Sequence, residues 1–449
     1  MSLKTILKVD NSQRSKLLQK NVFLSVGLTG INALISFLMY PLLIDYLGVS
    51  QYGVWLTIAS LSTWMTFFEF GLGTGLKNQL AQSFARNDYK EGKHLVSTAY
   101  FAISAIVVVL FVLLFLLKNT INWNALLGTE ALSSSVLSMF ASVMISSFFV
   151  VFILKLIGNV ASASQNPYIE KIINSTIQVI LLVVVVLIGR FYEGDIVKLS
   201  LYWSCATVLV WLIASIVLYT TTYKKVRPSI GCIQFSKLKS LMSLGIKFFI
   251  IQISLIVIHG STNFIISRYV GADEVVVYNA AYKIFNMANI VYSIVIAPTW
   301  VAFVDALENK DIVWVKSTVK RMLKIWMLIT LVMFIVLILS PFIYDLWLGE
   351  RIVIPFGLSA LLFIYFSTMT FGGVFNMFVN ATGNLRKQLI CWLVVAILYI
   401  PLTILLLKYS NLGIYAVAIG LVLSNVYYVA IAPFDYKKMM KKYERTNYL

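Results

Sequence analysis

The chain reads as an all-α protein that crosses a lipid bilayer many times. Of its 449 residues, 60% are hydrophobic and 12% charged, against about 45–50% and 25% in a soluble domain; the mean hydropathy is +0.88. The apolar residues fall in continuous runs long enough to cross ~30 Å of hydrocarbon as helices. An outer-membrane barrel would instead show ~10-residue alternating segments. The basic residues collect between these runs, mostly on alternate connections.

Taken in order, the first twenty residues carry Lys4, Lys8, Arg14, Lys16 and Lys20 and read as a basic tail on the cytoplasmic surface. The apolar stretch that follows is too long for a signal-peptide core, so no cleaved targeting sequence is expected. Twelve apolar runs then predict twelve transmembrane helices, at about 21–46, 53–81, 95–117, 133–160, 172–190, 197–222, 243–269, 275–304, 320–343, 353–379, 388–408 and 411–433. The long second and eighth runs read as helices that tilt or project beyond the bilayer.

Orientation follows from Lys and Arg. With the N-terminus inside, 26 of the 36 fall in the tail, the cytoplasmic connections and the C-terminus. Six occupy the opposite tips: Lys118, Arg190, Lys198, Arg268, Arg351 and Lys408. This bias places both termini in the cytoplasm. It also accounts for the net charge of +18 as a topology signal and an attraction to anionic headgroups, rather than as a nucleic-acid surface. Cys205, Cys232 and Cys391 have neither paired nor metal-type spacing and read as small packing residues. No cofactor or metal is expected.

An internal repeat organises the chain. Tyr46-Leu47-Gly48 and Tyr269-Val270-Gly271 align at an offset of 223 residues (48 to 271), each with a glycine where a helix would end. The expectation is two pseudo-symmetric six-helix lobes, residues 1–222 and 241–449, joined by a basic cytoplasmic linker at 223–240, around a central cavity.

The seventh and eighth runs, joined by the polar tip 270–274, carry the ionisable groups most costly to place. His259 lies roughly 15 Å and Lys283 roughly 12 Å from that tip at ~1.5 Å per helical residue. Groups so deep face a bundle interior or a watery cavity. Lys offers phosphate a point charge, and His changes charge near neutral pH. Lys283, His259, Asn263 and Asn286 are therefore the expected substrate-binding residues, with Asn289 nearby. The bland alternative is a buried pair satisfied by the asparagines, or a Lys283 that snorkels outward. Glu69, in the inner third of the second run, is the expected ion-coupling carboxylate, unless it pairs with Lys77 or Lys155. Those two lysines lie near cytoplasmic helix ends, placed to draw in a diphosphate or simply to anchor the interface. The stretch Gly71-Leu72-Gly73-Thr74-Gly75 follows no strand and is no phosphate-binding loop; its small residues permit a kink or a close helix contact. Pro41, Pro298, Pro401 and Pro433 are positioned to kink helices. Tyr46, Tyr52, Tyr269 and Trp347 read as interface anchors.

The run Phe68-Glu69-Phe70-Gly71-Leu72-Gly73, followed by Asn87-Asp88-Tyr89, resembles the polysaccharide-transporter branch of the multidrug/oligosaccharidyl-lipid/polysaccharide exporter superfamily, the Wzx-type O-antigen flippases. Tyr278-Asn279-Ala280-Ala281-Tyr282-Lys283-Ile284, Pro298 and Asn380-Ala381-Thr382-Gly383 are similar to the same family's second half. The resemblance covers nearly the whole chain in topology and a few short segments in residues. It implies a multi-pass protein of the bacterial inner membrane, not an enzyme, that flips an undecaprenyl-diphosphate-linked oligosaccharide to the periplasmic leaflet by alternating access. Its partners would be that lipid and, in the membrane, a polysaccharide polymerase and a chain-length regulator; the protein itself is expected to be a monomer. The alternative is a multidrug or cation-coupled exporter of the same superfamily. Without an ATP-binding motif, an ion gradient or the membrane potential would supply the energy. The orientation is tested by C-terminal fusions: green fluorescent protein is expected to fluoresce and alkaline phosphatase to stay inactive, and the reverse pattern would invert the topology.

Overall fold

The structure, a computed structural model, describes residues 13–64, 71–117, 120–191, 193–243, 246–296 and 299–447. Among the described residues every regular element is helical, and ten helices are long and apolar enough to cross a membrane. The chain divides into two compact units, Met1–Phe249 and Ile250–Leu449.

The first unit holds α1 (Gln13–Leu47), α2 (Val49–Trp64), α3 (Leu72–Ala85), α4 (Tyr89–Leu117), α5 (Trp123–Leu127), α6 (Ser134–Leu154), α7 (Leu156–Ala163), α8 (Tyr168–Phe191), α9 (Ile196–Thr220) and α10 (Ser236–Ser243). Helix α1 packs on α8, α9 packs on α6 and α8, and α3 lies against α4, α7 and α10. Capping residues set several starts. Asp195 accepts from the amides of Val197 and Lys198 at 2.9 and 3.0 Å to open α9. Asn122 does the same for α5 through Ala125, which then stops at Gly128 with a left-handed φ of 65°.

The second apolar run departs from the single long helix expected. It supplies two helices, α2 and α3, and α3 begins at Gly71, whose φ of +75° suits glycine alone among common residues. Glu69 lies outside the described residues. Four residues into α3, a Cβ on Gly75 would sit 1.8 Å from the carbonyl oxygen of Leu241 on α10. The small residues here thus serve close helix packing.

The segment between α9 and α10 is fastened along the first turns of α4. Ser229 donates its amide to Ser97 Oγ at 3.0 Å, and Gln234 donates to Thr98 Oγ1 at 3.0 Å. His94 Nδ1 lies 2.8 Å from the Cys232 carbonyl, and Lys237 pairs with Glu91 at 2.6 Å. Lys225 stands 4.3 Å from the centre of the Tyr89 ring.

Apart from the first turn of α11 (Ile246–Tyr269), the rest lies in the second unit: α12 (Ala272–Ile296), α13 (Thr299–Glu308), α14 (Ile312–Leu348), α15 (Phe356–Thr382), α16 (Arg386–Tyr409), α17 (Ile414–Ser424), a π-helical turn (Tyr427–Ile431) and α18 (Ala432–Asn447). In the eighth run the described residues are helical over Ala272–Ile296 (α12) and Thr299–Glu308 (α13); Pro298, between them, lies outside the described residues. Helix α15 is the hub, packing on α12, α13, α14, α17, the π turn and α18. It admits them through glycine: a Cβ on Gly372 would fall 2.2 Å from Tyr428 Cβ. The two units repeat one order of helix starts. Val49 and Ala272 stand 223 residues apart, as do Tyr89 and Ile312; Tyr168 and Arg386 stand 218 apart, as do Ile196 and Ile414.

Gly75→Val is expected to destabilise the protein by about 1–3 kcal/mol or more, because the new side chain meets backbone rather than a flexible tip. The check is the monodisperse fraction left after heating in detergent; an unchanged melting profile would refute the contact.

Candidate functional site

The polar residues of the second unit converge where α11 and α12 run side by side. Asn279 Nδ2 donates to Asn263 Oδ1 at 3.0 Å and to the Val275 carbonyl at 2.7 Å. One turn farther from the tip on each helix, about 6 Å along the axis, stand His259 and Lys283, both half-buried. Asn279, Lys283 and Asn286 follow at i, i+4 and i+7 and so share one face of α12. Asn286 Oδ1 accepts from Asn289 Nδ2 at 3.2 Å.

Aromatic and hydroxyl groups wall this cluster. Tyr365 of α15 brings its hydroxyl to 3.5 Å from His259 Nε2. Tyr399 of α16 and Thr262 of α11 bond hydroxyl to hydroxyl at 2.9 Å. Tyr282 packs between Tyr278 and Phe366, with ring centres 5.7 and 5.0 Å apart. Asn425, at the end of α17, fixes α15 by donating to the Tyr365 carbonyl at 2.7 Å and to Thr368 Oγ1 at 2.8 Å.

The charge balance is one-sided. From Val275 to Thr299, Lys283 is the sole Lys, Arg, Asp or Glu, and from Ile250 to Ser267 no such residue occurs. Neither α15 nor α17 carries one, and α16 carries none between Gln388 and Leu407. The cluster therefore offers an ammonium and several amides and hydroxyls, a donor set suited to anions and sugars. Among the described residues no group of three His, Cys, Asp or Glu could hold a metal.

Of the residues expected to bind substrate, the structure brings Lys283, His259, Asn263 and Asn286 onto the α11–α12 pair. Lys77, on α3, and Lys155, at the joint of α6 and α7, are exposed and belong to the first unit. Asn279, Thr262, Tyr365, Tyr399 and Asn425 were not among the expected residues. Asn279, four residues before Lys283 in an apolar run, was the one most open to recognition, since a buried amide needs a partner.

The comparisons with known proteins can now be set beside this geometry. Residues 18–304 match the family of polysaccharide biosynthesis proteins. The chain belongs to that family. A Yersinia pseudotuberculosis protein, provisionally named an O-antigen export protein, is 24% identical over 368 residues, covering 79% of this chain and 81% of its own. Among solved structures, an inward-facing multidrug resistance transporter of the MATE family and MOP superfamily superposes with a TM-score of 0.72 at 16% identity, covering 95% of this chain and 96% of that one. A MOP superfamily transporter from Pyrococcus furiosus superposes with a TM-score of 0.64 at 15% identity, covering 99% of both. The fold of this family member is thus MATE-like. It is a multi-pass protein of the inner membrane, with large apolar side chains such as Phe115, Leu116, Val183, Ile213, Leu328 and Ile397 exposed along its helices.

Asn279→Leu is expected to cost about 1–3 kcal/mol, the penalty for depriving the buried Asn263 amide oxygen of this donor. Thermal unfolding in detergent reads it, and the Asn263→Leu/Asn279→Leu pair should recover much of the loss.

Proposed function

We propose that this protein flips a lipid-linked oligosaccharide, an undecaprenyl-diphosphate-bound O-antigen or other polysaccharide repeat unit, from the cytoplasmic to the outer leaflet by alternating access. The observation that carries the reading is Lys283 among the amides and hydroxyls of α11 and α12, which carry no acidic residue over 250–267 and 275–296, in a member of a polysaccharide biosynthesis family. The name of the Yersinia relative supports it. In this reading the diphosphate is drawn to Lys283, and His259, Asn263 and Asn286 hydrogen-bond sugar or phosphate. Lys77 and Lys155 attract the diphosphate at the cytoplasmic surface, and Glu69 couples an ion. The polyprenyl tail stays in lipid, because each CH₂ drawn into water would cost about 0.8 kcal/mol.

The same reading takes the chain as twelve crossings in two lobes, 1–222 and 241–449, around a central cavity, with linker 223–240 and both termini cytoplasmic. An ion gradient or the membrane potential drives it. It acts as a monomer beside a polymerase and a chain-length regulator. It acts as a transporter and not as an enzyme, as the names of its relatives suggest.

The second reading, a cation-coupled multidrug exporter, shares the fold. A site for organic cations calls for carboxylates, and the stretches 250–267 and 275–296 that carry the cluster have none.

Lys283→Ala is expected to abolish complementation of a flippase-deficient strain at unchanged membrane abundance, and to weaken binding of the lipid-linked oligosaccharide about 10- to 100-fold, the worth of a hydrogen bond to a charged group. Wild-type surface polysaccharide in that variant would remove the assignment. His259→Ala is expected to lower flipping at unchanged membrane abundance; a wild-type rate in that variant would leave His259 a packing residue.

A further inference from the structure

An apolar groove of about 920 Å³ runs between α16, α17 and the first turn of α18, with Lys387 at one end and Leu402 at the other. From 387 to 402 the groove follows α16 for roughly 22 Å, longer than the ~15 Å of hydrocarbon in one leaflet. It narrows at the Leu402 end, where α17 backs onto α16: a Cβ on Gly420 would lie 2.5 Å from Thr403 Oγ1.

The Lys387 end is basic. Lys387 pairs with Asp435, but the two differ in exposure, 51% for the lysine and 4% for the aspartate. The carboxylate is turned in and the ammonium out, 5.3 Å from the ring centre of Phe434. Arg386, Lys437, Lys438, Lys441 and Lys442 are all exposed. Lys437 and Lys438 follow Phe434, a residue of the groove wall, by three and four positions and so share its face of α18.

A ligand that fits is apolar along its length and anionic at one end, as basic pockets between membrane helices take lipid headgroups. We propose that this groove binds one anionic phospholipid, its acyl chain lying between α16 and α17 and its phosphate against Arg386, Lys387 and Lys438. The groove shares Tyr399 with the wall of the cluster around Lys283, but the proposal does not rest on the assignment of that cluster to transport. The roughly 22 Å that the groove follows along α16 suits a phospholipid acyl chain better than the far longer polyprenyl tail.

The test is native mass spectrometry of the full-length, delipidated protein titrated with phosphatidylglycerol, phosphatidylcholine or undecaprenyl phosphate. Phosphatidylglycerol is expected to bind at least about tenfold more tightly than phosphatidylcholine. Leu398→Trp and Val394→Trp, at positions 56% and 47% exposed, should fill the groove and abolish that binding. Should either fail to fold, Arg386→Gln combined with Lys438→Gln, both on the surface, should weaken phosphatidylglycerol about 25-fold, each basic residue contributing about fivefold at an anionic surface. No binding of phosphatidylglycerol, equal affinity for both phospholipids, or binding undiminished in folded variants would overturn the proposal. Tighter binding of undecaprenyl phosphate, with the same sensitivity to tryptophan, would also overturn it and give the groove to the transported lipid.

Discussion

Hydrocarbon offers no hydrogen-bond partner, so each polar group within a membrane helix must find one in the chain. Much of this structure is an answer to that demand. Single hydroxyls return to their own helix: Thr57 donates to the Gly53 carbonyl at 2.8 Å, Ser254 to Ile250 at 3.0 Å, and Thr370 to Phe366 at 2.7 Å. Amides with two donors do more. Asn425 ties α17 to α15 through two bonds, and Asn279 ties α12 to α11. The second unit is held by such ties as much as by its apolar packing. An ammonium kept in the same surroundings is a costly choice, and its place one turn from the Asn263–Asn279 bond is the ground on which a role for the α11–α12 pair is proposed.

The helical class, the apolar runs and the polar residues on the seventh and eighth runs were legible in the sequence, because each depends on composition along the chain. The interruption at Gly71 was not. Hydropathy runs smoothly through Phe70, Gly71 and Leu72, and nothing in it records that Gly71 adopts a positive φ. The partners of the polar residues were hidden for a related reason. Helix α15 is apolar on every side, so its periodicity could not show that Tyr365 faces His259 or that Gly372 receives Tyr428. Only the packing of several helices brings those residues together.

Fold and cargo are separable here. Multidrug transporters share the architecture at 16% identity or less, which shows that the helical frame tolerates almost complete replacement of its side chains. What the frame carries is then a matter of a few groups inside it. Under the proposed function those groups are one lysine, one histidine, several asparagines and a wall of tyrosines.

The π turn at Tyr427–Ile431 sets a rotational phase. A π turn holds one residue more than the α-helix would at the same rise, and each residue of an α-helix advances the chain by roughly 100°. The extra residue therefore fixes the heading of everything downstream. It aims Asp435 inward at Lys387 and Tyr436 at the rings of Phe375 and Phe378. Were the same residues wound as an α-helix instead, α18 would be turned by about a quarter turn or more, carrying the carboxylate away from its ammonium with no change to either side chain.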